Sequence, residues 1–319
     1  MTSRWTRLLF VLVALGFCAY GVVTQWDAFA EAVSRLSFPQ LGGALLAGMA
    51  GLGCWMLGWR SLLAGFGAPL PVSATTRIMF LGQLGKYVPG SVWALLGQVE
   101  LARPYGVARV ASGSATLLAM ATTVATGCVT AALTLPLTSG DAARDYWWAL
   151  ALAPVMLACL HPRIVTWALN LALRMIRRPP LAGTMGFARM SGAVLWTLLG
   201  WACFGLHTWL LLPAGSPALA CGAYALAYVV GFLVILAPGG LGAREAALVL
   251  ALSPVLSQAE ALLVALASRA VLTVADLLWA GIGNLSKPPI SGNETGNERL
   301  VPDNDQRPLE ESPCAHPSP

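Results

Sequence analysis

Long apolar runs separated by short polar or basic stretches set the organisation of the chain. They predict helices over Leu8–Val23, Leu41–Phe66, Ala111–Leu135, Tyr146–Leu160, Ser191–Leu212, Ala218–Leu236 and Gln258–Ile282. Most approach the roughly 20 apolar residues that a membrane helix needs. Thr24–Pro39 carries Trp26, Asp27, Glu31 and Arg35 among apolar positions and reads as an interfacial segment. In Leu41–Phe66 the small residues Ala44, Ala47, Gly48 and Gly51 recur at helical spacing. Such faces let membrane helices approach closely. Thr122, Thr123, Thr126 and Thr130 cluster on Ala111–Leu135, where their hydroxyls can bond the helix's own carbonyls.

Two apolar stretches break at Pro-Gly and restart. The first is GQLGKYVPGSVWALLGQVELARPY, Gly82–Tyr105, with Lys86 and Tyr87 before Pro89-Gly90 and Trp93 and Gln98 after it. The second is PGGLGAREAALVLAL, Pro238–Leu252, with Gly239, Gly240 and Gly242 leading into Arg244 and Glu245. Proline removes a backbone donor and clashes with the preceding turn, so it stops or kinks a helix. Broken backbone at membrane depth survives where it is buried in protein or lines a wet cavity. Interrupted helices at corresponding places in two halves are the best sequence pointer to a transporter's binding site. A restarted helix also offers free N–H groups and a positive dipole end to a phosphate or carboxylate.

Composition places the whole body in the membrane. The chain is 57% hydrophobic and 10% charged, with a mean hydropathy of +0.70. Soluble domains carry about 25% charged residues. The predicted fold is all-α: a polytopic membrane bundle over residues 1–285, with seven to eight spans and two re-entrant elements in two related halves. Residues 286–319, rich in Pro, Asn and Glu, form a polar tail expected to be disordered. Met1–Arg7 precedes an apolar run with no small-residue cleavage site after it, so that run reads as an uncleaved first span. The seven cysteines and three histidines show no metal-ligand spacing, so neither metal nor cofactor is expected. Arg163, Arg174, Arg177, Arg178 and Arg189 make the most basic connection. The positive-inside rule then puts that loop and the N-terminus in the cytoplasm. Without the tail the body holds 16 basic and 8 acidic residues, 19 less 3 and 14 less 6, an excess that suits anionic lipid.

A few charges inside apolar segments are the sharpest candidates. A charge at the bilayer centre costs roughly 2.5–3.5 kcal/mol on insertion scales. Arg244 lies in the first turn of a helix whose end is already positive, so it needs an anionic partner from the protein or a substrate. Glu245 has a simple account as an acid near a helix N-terminus. Arg269 is mid-helix. Asp276 lies on the same face but about 10 Å further along by helix rise, so the two can pair only through water or a third group. His207, within an apolar helix, reads as a side chain satisfied by a neighbouring helix.

These segments, with SRAVLTVADLLWAGIG, resemble the transmembrane region of the lysylphosphatidylglycerol synthase/flippase family over about residues 5–285. The resemblance implies a polytopic fold with re-entrant helices, a bacterial inner-membrane location, and lipid flipping between leaflets as in the family's best-known members. Three departures bear on the lipid. Ser91 stands where many relatives have Lys, Gln98 where Arg is common, and the helix after Val110 lacks a Glu-Arg pair. The expected partner is a membrane lipid with an anionic headgroup or a lipid-linked phosphate, not nucleic acid. The expected site comprises Lys86, Tyr87, Pro89, Gly90, Trp93, Gln98, Pro238, Gly239, Gly240, Gly242, Arg244, Glu245 and Arg269, with no catalytic residue. The alternatives are a membrane enzyme of glycosyl or polyprenyl-phosphate transferase type, for which Glu245, Asp276 and Glu100 are the candidate acids, and a non-transporting partner of a lipid synthase.

Overall fold

Ser37 starts the first helix of the described structure. Its hydroxyl accepts the Gln40 N–H at 3.4 Å and the Gln40 side chain accepts the Ser37 N–H at 3.0 Å, a reciprocal cap with Pro39 in the first turn. The computed structural model describes residues 37–87, 93–138, 147–175, 185–234 and 242–285. All fall within the unit Met1–Pro288. The expected first span Leu8–Val23 and the tail lie outside the described residues.

The helices are α1 (Phe38–Gly65), α2 (Val72–Gln83), α3 (Trp93–Ala102), α4 (Arg109–Thr134), α5 (Trp147–Cys159), α6 (Pro162–Met175), α7 (Phe187–Leu211), α8 (Pro217–Leu233), α9 (Ala243–Leu252) and α10 (Gln258–Leu285). There is no strand among the described residues. Among the described residues four helical segments are long and apolar enough to cross a membrane: Phe38–Gly65, Arg109–Thr138, Phe187–Leu211 and Gln258–Leu285. Pro217–Leu233 is a shorter apolar helix. The chain is therefore a multi-pass membrane protein. The basic connection expected as a loop contains α6, which starts at Pro162. Ile164, Trp167 and Leu171 recur along it at helical spacing and form an exposed apolar stripe.

α1 and α7 run antiparallel in close contact, and small residues make that possible. A Cβ on Gly51 would meet the Phe204 ring at 2.9 Å, and one on Gly200 would meet Trp55 at 2.3 Å. In lipid, burying apolar surface gives no drive for helix association, so close packing and interhelical hydrogen bonds must supply it. Both are present. Trp55, Trp201, Phe204, Tyr224 and Tyr228 pack largely edge to face, with Phe204 stacked on Tyr224 at 5.3 Å. Trp201 donates to Thr126 Oγ1 at 3.0 Å, and Trp59 to Thr116 Oγ1 at 3.1 Å. Of the four threonines expected to bond their own helix, Thr126 and Thr130 donate to the carbonyl four residues back, and Thr134 does the same, whereas the buried Thr122 hydroxyl has no partner among the described residues. His207 is fully buried between Ala44 O at 2.8 Å and Ser268 Oγ at 2.9 Å. A carbonyl can only accept, so Nδ1 carries the proton and the Ser268 hydroxyl donates to Nε2.

Candidate functional site

The first broken element is an antiparallel helix pair. α2 continues as a 3₁₀ turn over Leu84–Tyr87, and α3 returns along it. Glycine is required at the contact. A Cβ on Gly82 would lie 2.8 Å from the Gln98 backbone nitrogen, and one on Gly85 would lie 2.7 Å from the Trp93 carbonyl carbon. The 3₁₀ turn places Lys86 beside α10, where its Nζ pairs with Asp276 Oδ2 at 2.5 Å.

The second broken element has the same form. α9 begins after Gly242, whose φ of 83° favours glycine. Gly231 of α8 approaches so closely that an added Cβ would meet the Arg244 Cβ at 2.8 Å. Glu245 does two things at once. Its Oε2 accepts the Gly242 N–H at 2.7 Å, capping α9, and its Oε1 pairs with Arg269 Nη1 at 3.0 Å. Arg244 turns the other way. It donates to the Tyr224 hydroxyl at 2.5 Å, and its guanidinium lies 4.7 Å from the centroid of the Tyr224 ring and 5.6 Å from that of Tyr228. Among the described residues no carboxylate is ion-paired to it.

α10 ties the two elements together. Among the described residues Asp276 pairs with Lys86 of the first element and Arg269 with Glu245 of the second. Lys86 lies within electrostatic reach of Arg244 and Arg269, and Tyr224 of Asp276, so the groups form one cluster. The Glu245 and Asp276 side chains are each 8% exposed, Arg269 24% and Lys86 33%. Three cations face two carboxylates, a sum of +1 among these five groups.

Of the expected site residues, Lys86, Arg244, Glu245 and Arg269 meet in this cluster, with Gly242 at its edge. Gln98 is 4% exposed and turned elsewhere; its Oε1 accepts from Thr116 at 2.9 Å in the chain that starts at Trp59. Trp93 is half exposed on α3. Tyr87 closes the 3₁₀ turn. Pro89, Gly90, Pro238, Gly239 and Gly240 lie outside the described residues. Asp276 completes the cluster although the expected set omits it, and Tyr224 and Tyr228 are additions. The tyrosines stand four apart on α8, a spacing that puts them on one helix face. No three His, Cys, Asp or Glu side chains gather as a metal site among the described residues.

Glu100 is at the far end of α3, away from the Pro-Gly break. It pairs with Arg103 at 3.0 Å and Arg109 at 3.1 Å, all three side chains more than half exposed. The hydrogen bond from Arg103, helped by the charge of Arg109, holds its carboxyl below the ordinary glutamate value.

A family model described as the lysylphosphatidylglycerol synthase TM region matches residues 4–280. The chain belongs to this family. No curated protein matches it. The match to the synthase transmembrane region spans both broken elements and the paired residues of α10, so every member of the charged cluster falls within it.

Proposed function

We propose that this protein handles an anionic lipid, or a lipid-linked phosphate, and moves its headgroup between leaflets through the cluster on α10. The observation that carries the reading is Arg244, held over two tyrosine faces with no carboxylate pair among the described residues. A guanidinium has five N–H donors and matches phosphate oxygens in pairs. Cation–π contact offsets part of its desolvation and leaves donors for a guest.

In this reading the two broken elements are re-entrant. The arms α2 and α3 have 12 and 10 residues. At 1.5 Å per residue they reach about 18 and 15 Å, roughly half the hydrocarbon thickness. A phosphate entering between the elements competes with Asp276 for Lys86 and with Glu245 for Arg269. Loosening those pairs frees the elements from α10 and opens the site to the second leaflet. The N-terminus and the basic stretch around α6 face the cytoplasm of a bacterial cell.

The test is a leaflet-resolved assay. Full-length protein is reconstituted into vesicles holding headgroup-labelled phosphatidylglycerol or phosphatidylcholine, and an impermeant reductant reports label reaching the outer leaflet. The expected result is faster exchange of the anionic lipid than of the zwitterionic one. Exchange no faster than in protein-free vesicles would contradict the proposal.

A further inference from the structure

A separate cavity of about 260 Å³ lies where the end of α1 meets the start of α7. Arg60, Ser61 and Leu57 line it from α1, Arg189 and Trp196 from α7, and Leu70 from the link into α2. Among the described residues two arginines face it and no acid does. The Arg60 Nε–H donates to Leu70 O at 2.7 Å, which fixes the guanidinium plane and leaves its terminal nitrogens available. The Ser61 hydroxyl donates to Arg189 O at 2.8 Å, which holds the first turn of α7 against α1. Neither arginine is ion-paired to a described acid, although Glu100 pairs with both arginines near it.

The cavity is polar at one end and apolar at the other. Arg60 and Arg189 are close to the ends of helices long enough to cross the membrane. α1 and α7 run antiparallel, so Leu57 and Trp196 both lie deeper than the arginines. That order matches a phospholipid, with its phosphate at the surface and its glycerol and upper acyl carbons below. We infer that this cavity is a second lipid site, distinct from the cluster on α10, in which Arg60 and Arg189 hold the phosphate of an anionic phospholipid. The inference does not rest on translocation.

Native mass spectrometry of the full-length protein in detergent, titrated with phosphatidylglycerol, tests it. Arg189→Gln removes a charge with no described structural bond to its side chain. It should raise the apparent dissociation constant of the tightest-bound lipid about tenfold, the scale of one charge-assisted hydrogen bond. Arg60→Lys should weaken binding less than Arg60→Gln, because lysine keeps the charge but not the fork. Arg174→Gln on α6, outside both sites, should leave this binding unchanged; the leaflet-resolved assay is read on its own, so the cavity and the proposed function can fail separately. Unchanged affinity in both Arg189→Gln and Arg60→Gln would overturn the inference. So would displacement of the lipid by equimolar inorganic phosphate, which would assign the cavity to free anions.

Discussion

Arg269 and Asp276 stand seven residues apart on α10 and pair not with each other but with Glu245 and Lys86. One helix thus holds both broken elements through one ion pair each. Each pair joins a residue of a broken element to a helix long and apolar enough to cross a membrane.

Breaking one brace should be costly. Asp276→Ala leaves Lys86 without its carboxylate in a largely buried setting. Removing one partner of a buried pair costs about 3–5 kcal/mol, and the partial exposure of Lys86 places this case near about 2–3 kcal/mol. Lys86→Met combined with Asp276→Leu should recover most of that loss. A double-mutant cycle from unfolding in mixed micelles checks it. Simple additivity of the two single changes would mean the pair contributes nothing.

Glu245 carries two separable roles. Glu245→Gln keeps an oxygen for the Gly242 N–H and loses the charge facing Arg269, whereas Glu245→Ala loses both. The difference in unfolding free energy between the variants should be about 1 kcal/mol, the typical worth of a helix cap. Equal stabilities would show that the cap contributes nothing.

The long helices were legible because a membrane helix must be apolar over its length. The expected Leu41–Phe66 and Ser191–Leu212 differ from α1 and α7 by a few residues at the ends. The roles of Thr126, Thr130 and His207 followed from hydrogen-bond accounting alone. Pairing was not legible. Lys86 and Asp276 are 190 residues apart, and nothing local ties a cation before one break to an acid near the end of the chain. Arg244 was expected to need an anion; its described partners are a neutral phenol and two ring faces, recognisable only when Tyr224 and Tyr228 are read as one helix face. Gln98 looked like a site residue from its place after the break, but the return of α3 turns it into the Thr116 contact. The helix in the basic connection was missed because its arginines outweighed the apolar stripe beside them.

Glycines at the arm contacts should be irreplaceable and others should not. Gly85→Ala drives a Cβ into Trp93 and Ala94 backbone, which cannot yield as a side chain tip can. Overpacking of this kind costs about 1–3 kcal/mol. Gly281→Ala on α10 meets nothing within 4 Å and should stabilise by up to about 1 kcal/mol through helix propensity. Thermal unfolding in one detergent ranks them, and an unperturbed Gly85→Ala would contradict the close return of α3 along α2.

The central claim is that Arg244 meets the anionic headgroup. The most direct measurement compares Arg244→Ala with Arg109→Ala in the leaflet-resolved assay at matched reconstitution. Arg109 shares its side-chain carboxylate, Glu100, with Arg103 in a solvent-exposed trio, where salt and water screen charge. Arg244 lies among aromatic faces at lower dielectric, where one contact to phosphate is worth more. The account predicts that Arg244→Ala lowers exchange of phosphatidylglycerol about tenfold or more while Arg109→Ala stays near wild type. Equal and negligible effects of the two substitutions, in a protein active as wild type, would contradict it.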